Sequence, residues 1–195
     1  FGDFGCFSFY PTKILGTYGD GGFIITKKIN DYKRIKRLRF YGIETTDKKN
    51  KFYNKYYANE NGLNSRIDEI QSSILNIKLK YVDNFIKRRI DLANIYSENL
   101  KGTSLKLPHV NDFSKHVYHL FTVRHKQKEK IVRLLKKKKI GTRVIYPYPI
   151  NSMKAYKKFD TKKNDLKNTL IISREIFSLP LYPELKISEV HLICK

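Results

Sequence analysis

The 195 residues of this chain include 40 lysines and arginines against 18 aspartates and glutamates, which gives a formal net charge of +22. No stretch is long and apolar enough to predict a transmembrane helix. The 2 cysteines and 5 histidines are scattered, which argues against a disulfide framework and a zinc site, so we expect neither a membrane nor a metal partner.

The first part of the sequence predicts two strands followed by a helix. In chain order the predicted elements are a short buried strand at 5–10, a glycine-rich turn at 11–22, a strand at 23–26, a basic helix at 30–39 and a long loop at 41–62. β-branched residues favour the second strand, and Asn30 or Asp31 is expected to cap the helix. Because glycines directly after a strand permit tight turns and the close approach of a ligand, the turn is a candidate binding site.

A helical period returns at Ser65, which is expected to cap the next helix. Its predicted apolar face consists of Ile67, Ile70, Ile74, Ile77 and Leu79. A second helix is predicted from Asp83 to Leu100, and Gly102 is expected to end it.

From Thr103 onward the pattern changes to strands that alternate with helices. The predicted elements are a strand at 117–123, a helix at 127–138, a strand at 142–146, a helix at 164–176 and a helix at 187–194. His116 and His119 stand three residues apart beside and within the first of these strands, so they are expected on opposite faces. The alternation indicates an α/β unit.

The positive charge is spread along the chain, since lysines occur in nearly every segment. The densest run, Lys136 to Lys139, is predicted to end a helix, where cations interact favourably with the helix dipole. We therefore interpret the charge as solvated surface. A basic nucleic-acid-binding domain stays an alternative, because excess positive charge is typical of that class.

Lys13 stands three residues beyond the first predicted strand and just before the glycines. A lysine attacks carbonyl compounds only as the neutral amine, which requires desolvation or neighbouring cations. The end of a strand in an α/β sheet is a common place for such a site. Taken alone, however, one lysine in so basic a chain is more typical of an exposed charge.

Four sequence blocks, taken in order, resemble the DegT/DnrJ/StrS family of sugar aminotransferases, which depend on pyridoxal 5'-phosphate (PLP). The blocks are Gly5–Gly22, which contains Ser8 and Lys13, then Gly62–Gln71, Gly141–Pro149 and Phe177–Pro183. The resemblance implies an α/β protein of the PLP-dependent transferase fold type I, which is aspartate aminotransferase-like. Residues 1–82 would form the C-terminal edge of the large PLP-binding domain. Residues 83–195 would form a linking helix and the small C-terminal α/β domain.

The same resemblance implies cofactor-binding roles for three residues. Lys13 would hold PLP covalently and move protons during the reaction, and Ser8 would donate its hydroxyl to the cofactor phosphate. Asn64 would reach the phosphate of the PLP in the neighbouring subunit. Without the resemblance, Ser8 would be interpreted as a strand hydroxyl bonded to backbone and Asn64 as a helix cap.

Substrate contacts are implied for four further residues. Tyr146 and Tyr148 would belong to a loop that helps to close over the sugar nucleotide, or they would be core or edge aromatic residues around rigid prolines. Arg66 would pair with a carboxylate or phosphate, or with an acidic neighbour on the following helix. Asn151 stands where many relatives have histidine, which puts one substrate contact in doubt.

The resemblance implies transfer of an amino group from glutamate to a keto group of a dTDP- or UDP-linked deoxyhexose, as in the synthesis of surface glycans or antibiotic sugars. Arg37–Gly42 and the Tyr-Pro-Tyr-Pro segment are similar to the subgroup that aminates C3 of dTDP-3-keto-6-deoxyhexoses. A cytoplasmic homodimer with shared active sites is expected.

Because residues 5–10 have the character of a fold interior, we expect the domain to begin upstream of Phe1. The family's carboxylate partner of the PLP ring nitrogen precedes the lysine segment, so we expect this chain alone to be inactive. An inactive PLP-fold regulator and a truncated, non-functional gene product stay open as further alternatives.

Overall fold

The computed structural model describes residues 2–44, 56–159 and 166–195. It divides into two compact units, Phe1–Val82 and Asp83–Lys195. The identification of these units with a large cofactor domain and a small domain stays a prediction. Over the described ranges, no helix has both the length and the apolar character that crossing a membrane requires.

The first unit is built on an antiparallel hairpin. Strand β1 (Phe4–Ser8) pairs with strand β2 (Gly22–Thr26), and the chain between them carries the glycine-rich turn. Two helices follow, α1 (Ile29–Leu38) and α2 (Glu69–Leu79). The two strands and both helices of this part were therefore predicted in the right order.

The prediction that the first strand is buried was wrong. Most residues of β1 and β2 are exposed, and the large apolar side chains among them range from 43% exposed for Phe23 to 53% for Ile25. The physical reason is that the described sheet has only two strands, and a two-stranded sheet covers little of its own apolar surface.

Both predicted helix caps of the first unit were also wrong. Helix α1 follows Lys28, two or three residues before the predicted caps, and has no side-chain cap. Helix α2 follows Asp68 rather than Ser65. The backbone N–H of Ser65 donates to the carbonyl of Arg39 at 2.9 Å, which holds that residue in an extended crossing and delays the helix.

The predicted loop at 41–62 is partly ordered by backbone pairing, and its residues 45–55 lie outside the described part of the chain. Isolated bridges join Ile43 to Ala58 and Phe40 to Asn64. Between these bridges the two segments cross so closely that a Cβ on Gly62 would lie 2.1 Å from the Gly42 nitrogen. Only residues without a side chain permit this approach.

The second unit packs helices around a short antiparallel strand pair. Its helices and strands are α3 (Val82–Leu100, starting one residue before the unit), β3 (Phe121–Arg124), α4 (Lys128–Lys137), α5 (Lys167–Glu175), β4 (Ile176–Leu179) and α6 (Ile187–Cys194). Strand β3 pairs with β4, and two short 3-10 helices lie at Ile150–Ser152 and Lys154–Phe159. The mixed α/β content agrees with the prediction.

One contiguous core holds the second unit together. Its buried members are Leu92, Ala93, Tyr96, Leu100, Tyr118, Phe121, Val123, Leu135, Phe177, Leu179, Leu181, Leu185 and Val190. Arg89 is only 7% exposed, and its Nη1 donates to the carbonyls of Tyr118, His119 and Leu181 at 3.2, 3.3 and 2.9 Å. The guanidinium thereby satisfies loop carbonyls that the core would otherwise leave without donors.

Two strand predictions in this unit were wrong in extent. β3 begins at Phe121, so His116 and His119 precede it and the argument about opposite strand faces does not apply. The N–H of Tyr118 instead donates to His116 Nδ1 at 2.8 Å, which forms a local turn. The strand predicted at 142–146 is reduced to one bridge between Arg143 and Ser178, shortly before prolines that cannot donate to a ladder.

The helix predicted at 164–176 is observed as α5, although residues 160–165 lie outside the described ranges. The sequence missed β4, because a short apolar run after a helix does not reveal where the helix ends. The helix predictions at 83–100, 127–138 and 187–194 are confirmed to within one residue at each end.

Candidate functional site

Lys13 lies on a closed turn that leaves the end of β1. Its backbone N–H donates to the Tyr10 carbonyl at 2.8 Å. Phe9 ties the entry of this turn to its exit, because its carbonyl accepts from Thr17 N at 2.8 Å and its N–H donates to the Gly21 carbonyl at 2.7 Å. We call residues 10–16 the lysine turn and residues 17–22 the glycine loop.

Gly16 closes the base of the lysine turn. A Cβ at this position would lie 2.6 Å from the carbonyl oxygens of both Tyr10 and Pro11, which no side chain permits. The Gly16 carbonyl also accepts a short hydrogen bond from Lys78 Nζ. The shape of the turn thus depends on a glycine and on a cation from α2.

The Lys13 side chain is half-buried. Over the residues that the structure describes, no hydrogen bond or ion pair involves its Nζ. An amine that is not held by a carboxylate can approach a carbonyl group, whereas a lysine in an ion pair is stabilised as the ammonium. This environment is compatible with the predicted role of Lys13.

Ser8, the last residue of β1, precedes Lys13 by five residues. Its Oγ accepts a hydrogen bond from the Tyr10 N–H at 3.3 Å, and the residue is exposed. Because this contact uses the oxygen as the acceptor, the hydroxyl proton remains available to donate to an anionic oxygen. Tyr10 connects the two predicted cofactor residues, since its carbonyl also accepts from Lys13.

Asn64 and Arg66 lie on the segment that pairs with the chain just after α1. Asn64 is exposed and forms a bridge with Phe40, which excludes its interpretation as a helix cap. The guanidinium carbon of Arg66 lies 5.1 Å from the centre of the Phe40 ring. No ion pair joins Arg66 to Asp68 or Glu69 over the described ranges, so the predicted local alternative for Arg66 is not observed.

Both residues line an open cavity of about 980 Å³ that lies between the hairpin and the two helices of the first unit. Apolar and aromatic side chains from β1 and β2 form one wall, among them Phe7 and Phe23, whose rings stack 4.5 Å apart. Lys13 and Ser8 are not among the residues that line it.

The segment that carries Asn64 is held to α1 by an ionic cluster. Arg37 Nε and Nη2 donate to Glu60 Oε1 at 2.8 and 2.5 Å, and its Nη1 donates to Glu44 at 3.0 Å. Arg34 donates to the second Glu60 oxygen at 3.0 Å. The hydrogen bonds from Arg37 and, to a smaller extent, from Arg34 lower the pKa of Glu60. The bond to Glu60 in turn raises the pKa of Arg37.

The remaining candidates lie in the second unit. Tyr146 and Tyr148 are 74% and 69% exposed, so their rings are available to a ligand rather than packed in the core. Asn151 is half-buried within the 3-10 helix Ile150–Ser152. No shared pocket of these three residues follows from the structure, and their substrate contacts stay predictions.

Sequence reasoning missed the side chains that hold the lysine turn and the glycine loop in place. Thr17 is fully buried, and Gln71 and Lys78 extend from α2 to the backbone of this region. Gln71 was part of the second family-like block, which was the one available signal. Thr17 lies within the first block but was not singled out, and Lys78 lies in none of the blocks; the partners of both are backbone carbonyls.

Comparison with known proteins adds an independent observation. The model of the DegT/DnrJ/EryC1/StrS aminotransferase family matches residues 1–195. The chain is 36% identical to the dTDP-3-amino-3,4,6-trideoxy-alpha-D-glucose transaminase of Micromonospora megalomicea subsp. nigra, over 94% of the chain and 48% of that protein. It is 33% identical to the pleiotropic regulatory protein of Geobacillus stearothermophilus, over 92% of the chain and 47% of that protein.

A solved structure of S. venezuelae DesV in complex with a ketimine intermediate is similar with a TM-score of 0.86 and 33% identity. The match covers 97% of this chain and 49% of DesV. The chain thus spans about half the length of the curated relatives that it matches. The predicted fold class, an α/β protein similar to PLP-dependent sugar aminotransferases, is confirmed, and its place as the C-terminal part of such a protein stays a prediction.

Proposed function

Because the chain belongs to the DegT/DnrJ/EryC1/StrS aminotransferase family, we propose that it is the C-terminal half of a PLP-dependent sugar aminotransferase. The proposed reaction transfers an amino group from glutamate to the keto group of a dTDP- or UDP-linked deoxyhexose. The observation that carries the proposal is Lys13, a half-buried amine without an ionic partner among the described residues, on a turn closed by Gly16.

The residues around Lys13 fit PLP in their chemistry. A phosphate needs hydrogen-bond donors, and the exposed Ser8 hydroxyl has a proton to donate. An aldehyde needs an amine that is not neutralised by an ion pair, and Lys13 meets this requirement within the described residues. When bound, PLP supplies the aldehyde and an electron-withdrawing ring, which make amino-group transfer possible.

In this proposal the residues of the first unit bind the cofactor and move protons. Lys13 Nζ, as the free amine, would take a proton from one reacting carbon and deliver it to the other. Ser8 Oγ donates to the cofactor phosphate. The exposed Asn64 amide donates to the corresponding phosphate in a second copy of the protein, so the active protein would be a homodimer.

The remaining candidates would bind the substrates. The Arg66 guanidinium, held against the Phe40 ring, would pair with the carboxylate of glutamate or with a nucleotide phosphate. Tyr146, Tyr148 and Asn151 would contact the sugar nucleotide and exclude water from it. The similar transaminase from Micromonospora supports a dTDP-linked substrate aminated at C3. A cytoplasmic location follows from this substrate class.

Borohydride reduction of the PLP-bound full-length protein tests the assignment, followed by digestion and mass spectrometry. In the wild-type protein we expect the reduced cofactor on Lys13. In Lys13→Ala we expect both this label and the visible absorbance of bound PLP to be lost. Lys27→Ala is the matched control, because Lys27 is an exposed lysine directly after β2. Labelling of another lysine would contradict the proposal.

A regulator with the same fold is the second candidate, and the name of the similar Geobacillus protein favours it. Turnover of a keto-sugar nucleotide with glutamate by the full-length protein would exclude a purely regulatory role. The nucleic-acid alternative retains only the net charge of +22 as its support. A salt-sensitive shift of DNA mobility would be its signature.

A further inference from the structure

Gln71, in the first turn of α2, is hydrogen-bonded to the glycine loop at several points. Its Nε2 donates to the carbonyls of Tyr18 and Asp20 at 3.0 and 3.1 Å. The backbone carbonyl of Gln71 accepts from Thr17 Oγ1 at 3.4 Å, and its side-chain Oε1 accepts from the N–H of Asp68 at 3.2 Å. One side chain thus caps a helix and fixes a loop.

Thr17 connects this contact to the lysine turn. It is fully buried and is the first residue after that turn. Its backbone N–H donates to the carbonyl of Phe9, just after β1, while its hydroxyl donates to the backbone carbonyl of Gln71. The exit of the lysine turn is therefore held from two directions, by the strand through the backbone and by α2 through the side chain.

The glycine loop leaves little room for any other arrangement. Gly19 has a φ of +98°, and a Cβ on it would lie 3.0 Å from Gln71 Nε2. Lys78, seven residues after Gln71 and hence on the same face of α2, donates to the Gly16 carbonyl. Side chains of α2 thus donate to the backbone carbonyls on both sides of Thr17, at Gly16 and at Tyr18.

We propose that Gln71 is a positioning residue for Lys13, acting through the glycine loop rather than through contact with cofactor or substrate. This inference rests on the proposed function, because it concerns the lysine to which PLP is assigned there. Two carbonyls that converge on one amide can stay together only while donors stand between them. Loss of those donors would release Tyr18 and Asp20, and the exit of the lysine turn would then depend on the bonds of Thr17 and Lys78.

Helix capping by itself does not require glutamine at this position. In α6 the equivalent place is occupied by Glu189, whose Oε2 accepts from the Lys186 N–H at 2.8 Å. Glutamate and glutamine are both usual there, because only an acceptor is needed. Glutamine differs in having a side-chain amide, whose two protons are donated to the carbonyls of Tyr18 and Asp20 in the glycine loop.

The exchange Gln71→Glu separates these two roles in the full-length protein. It retains the acceptor for Asp68 but turns a carboxylate toward the carbonyls of Tyr18 and Asp20. We expect amide hydrogen exchange in the glycine loop, measured without added PLP, to accelerate by about tenfold or more. We also expect the Kd for PLP to rise by about tenfold and the pH midpoint of the bound-PLP absorbance to move by about half a unit.

Glu189→Gln, the reciprocal exchange at the same helix position of α6, is the matched control and should change none of these quantities. Gln71→Met, which has similar length but no charge and no amide, provides a second variant if the carboxylate prevents folding. It should produce the same three changes.

The outcomes separate this inference from the proposed function. If wild-type protein takes up no PLP at Lys13, the proposed function and the positioning role both fail. If it does, and the variants leave the absorbance midpoint unchanged, Gln71 is only a structural residue even when loop exchange accelerates, and the proposed function still stands.

Discussion

The two units of this chain are ordered by different means. The second unit has a contiguous apolar core in which Tyr96, Phe121 and Phe177 are completely buried. In the first unit, only Ile43 and Leu75 are buried hydrophobic residues among those described. Order there comes from backbone hydrogen bonds, glycine crossings and the ionic cluster around Arg37. The candidate cofactor lysine therefore lies in the unit with the least apolar packing of its own.

The largest expected effect concerns the chain as a whole. We expect the 195-residue chain to give no turnover with PLP, glutamate and a keto-sugar nucleotide, and the full-length protein to be active. The physical reason is that the ring nitrogen of PLP needs a carboxylate partner, which the family resemblance predicts upstream. Parallel assays of both proteins test this, and turnover by the chain alone would contradict it.

A second prediction contrasts the aromatic residues of the two units. Phe121→Ala should lower the local free energy of unfolding by about 3–5 kcal/mol, because it leaves a cavity in a closed core. Phe7→Ala should cost about 1 kcal/mol, since its stacked ring is half exposed. Native-state hydrogen exchange can measure both. Equal costs in the full-length protein would mean that the hairpin face is covered there, and the contrast between the units would disappear.

Arg89 provides a smaller effect within the second unit. Arg89→Met should lower the free energy of unfolding by about 2–3 kcal/mol, because two buried carbonyls and one partly buried carbonyl lose their shared donor. Arg133→Met, at an exposed position of α4, is the control and should stay within about 0.5 kcal/mol of wild type. Urea denaturation monitored by the fluorescence of the core tyrosines compares them. If Arg89→Met left the free energy of unfolding unchanged, these carbonyls would have found other donors.

The smallest effect concerns pH and the first unit. Because the folded-state pKa of Glu60 is lowered, its stabilising effect is fully present above its unfolded pKa, about 4.3. This effect should be lost as the pH falls through the lower, folded value. Glu60→Gln should remove this dependence, which hydrogen exchange of residues 56–64 at several pH values would detect. Glu129→Gln, at an exposed position, should leave it intact.

Much of the fold was predictable because its helices carry strong periodic patterns. The helix α3, for example, was placed to within one residue, and Gly102 follows it with a positive φ of 82°. The start of α2 was not predictable from its local cap. The extended crossing at Ser65 is a tertiary contact that overrides the local preference for a helix start.

The candidate site shows the same division. Lys13 and Ser8 were found from a contiguous motif, and the structure connects them through Tyr10. Thr17 and Lys78 were missed because they bind backbone carbonyls, and carbonyls carry no sequence signal. Burial of β1 was overestimated for a related reason. Apolar residues in a strand predict a covering layer but do not reveal which residues provide it.

The crossing of Gly42 and Gly62 has a consequence for natural variation. Since even a methyl group at either position would overlap the opposite backbone, neither glycine can be replaced by alanine or serine without a shift of the backbone. In a saturation library they should tolerate no replacement, although neither side of the crossing touches the lysine. A map of intolerant positions would thus contain a pair whose constraint is purely geometric.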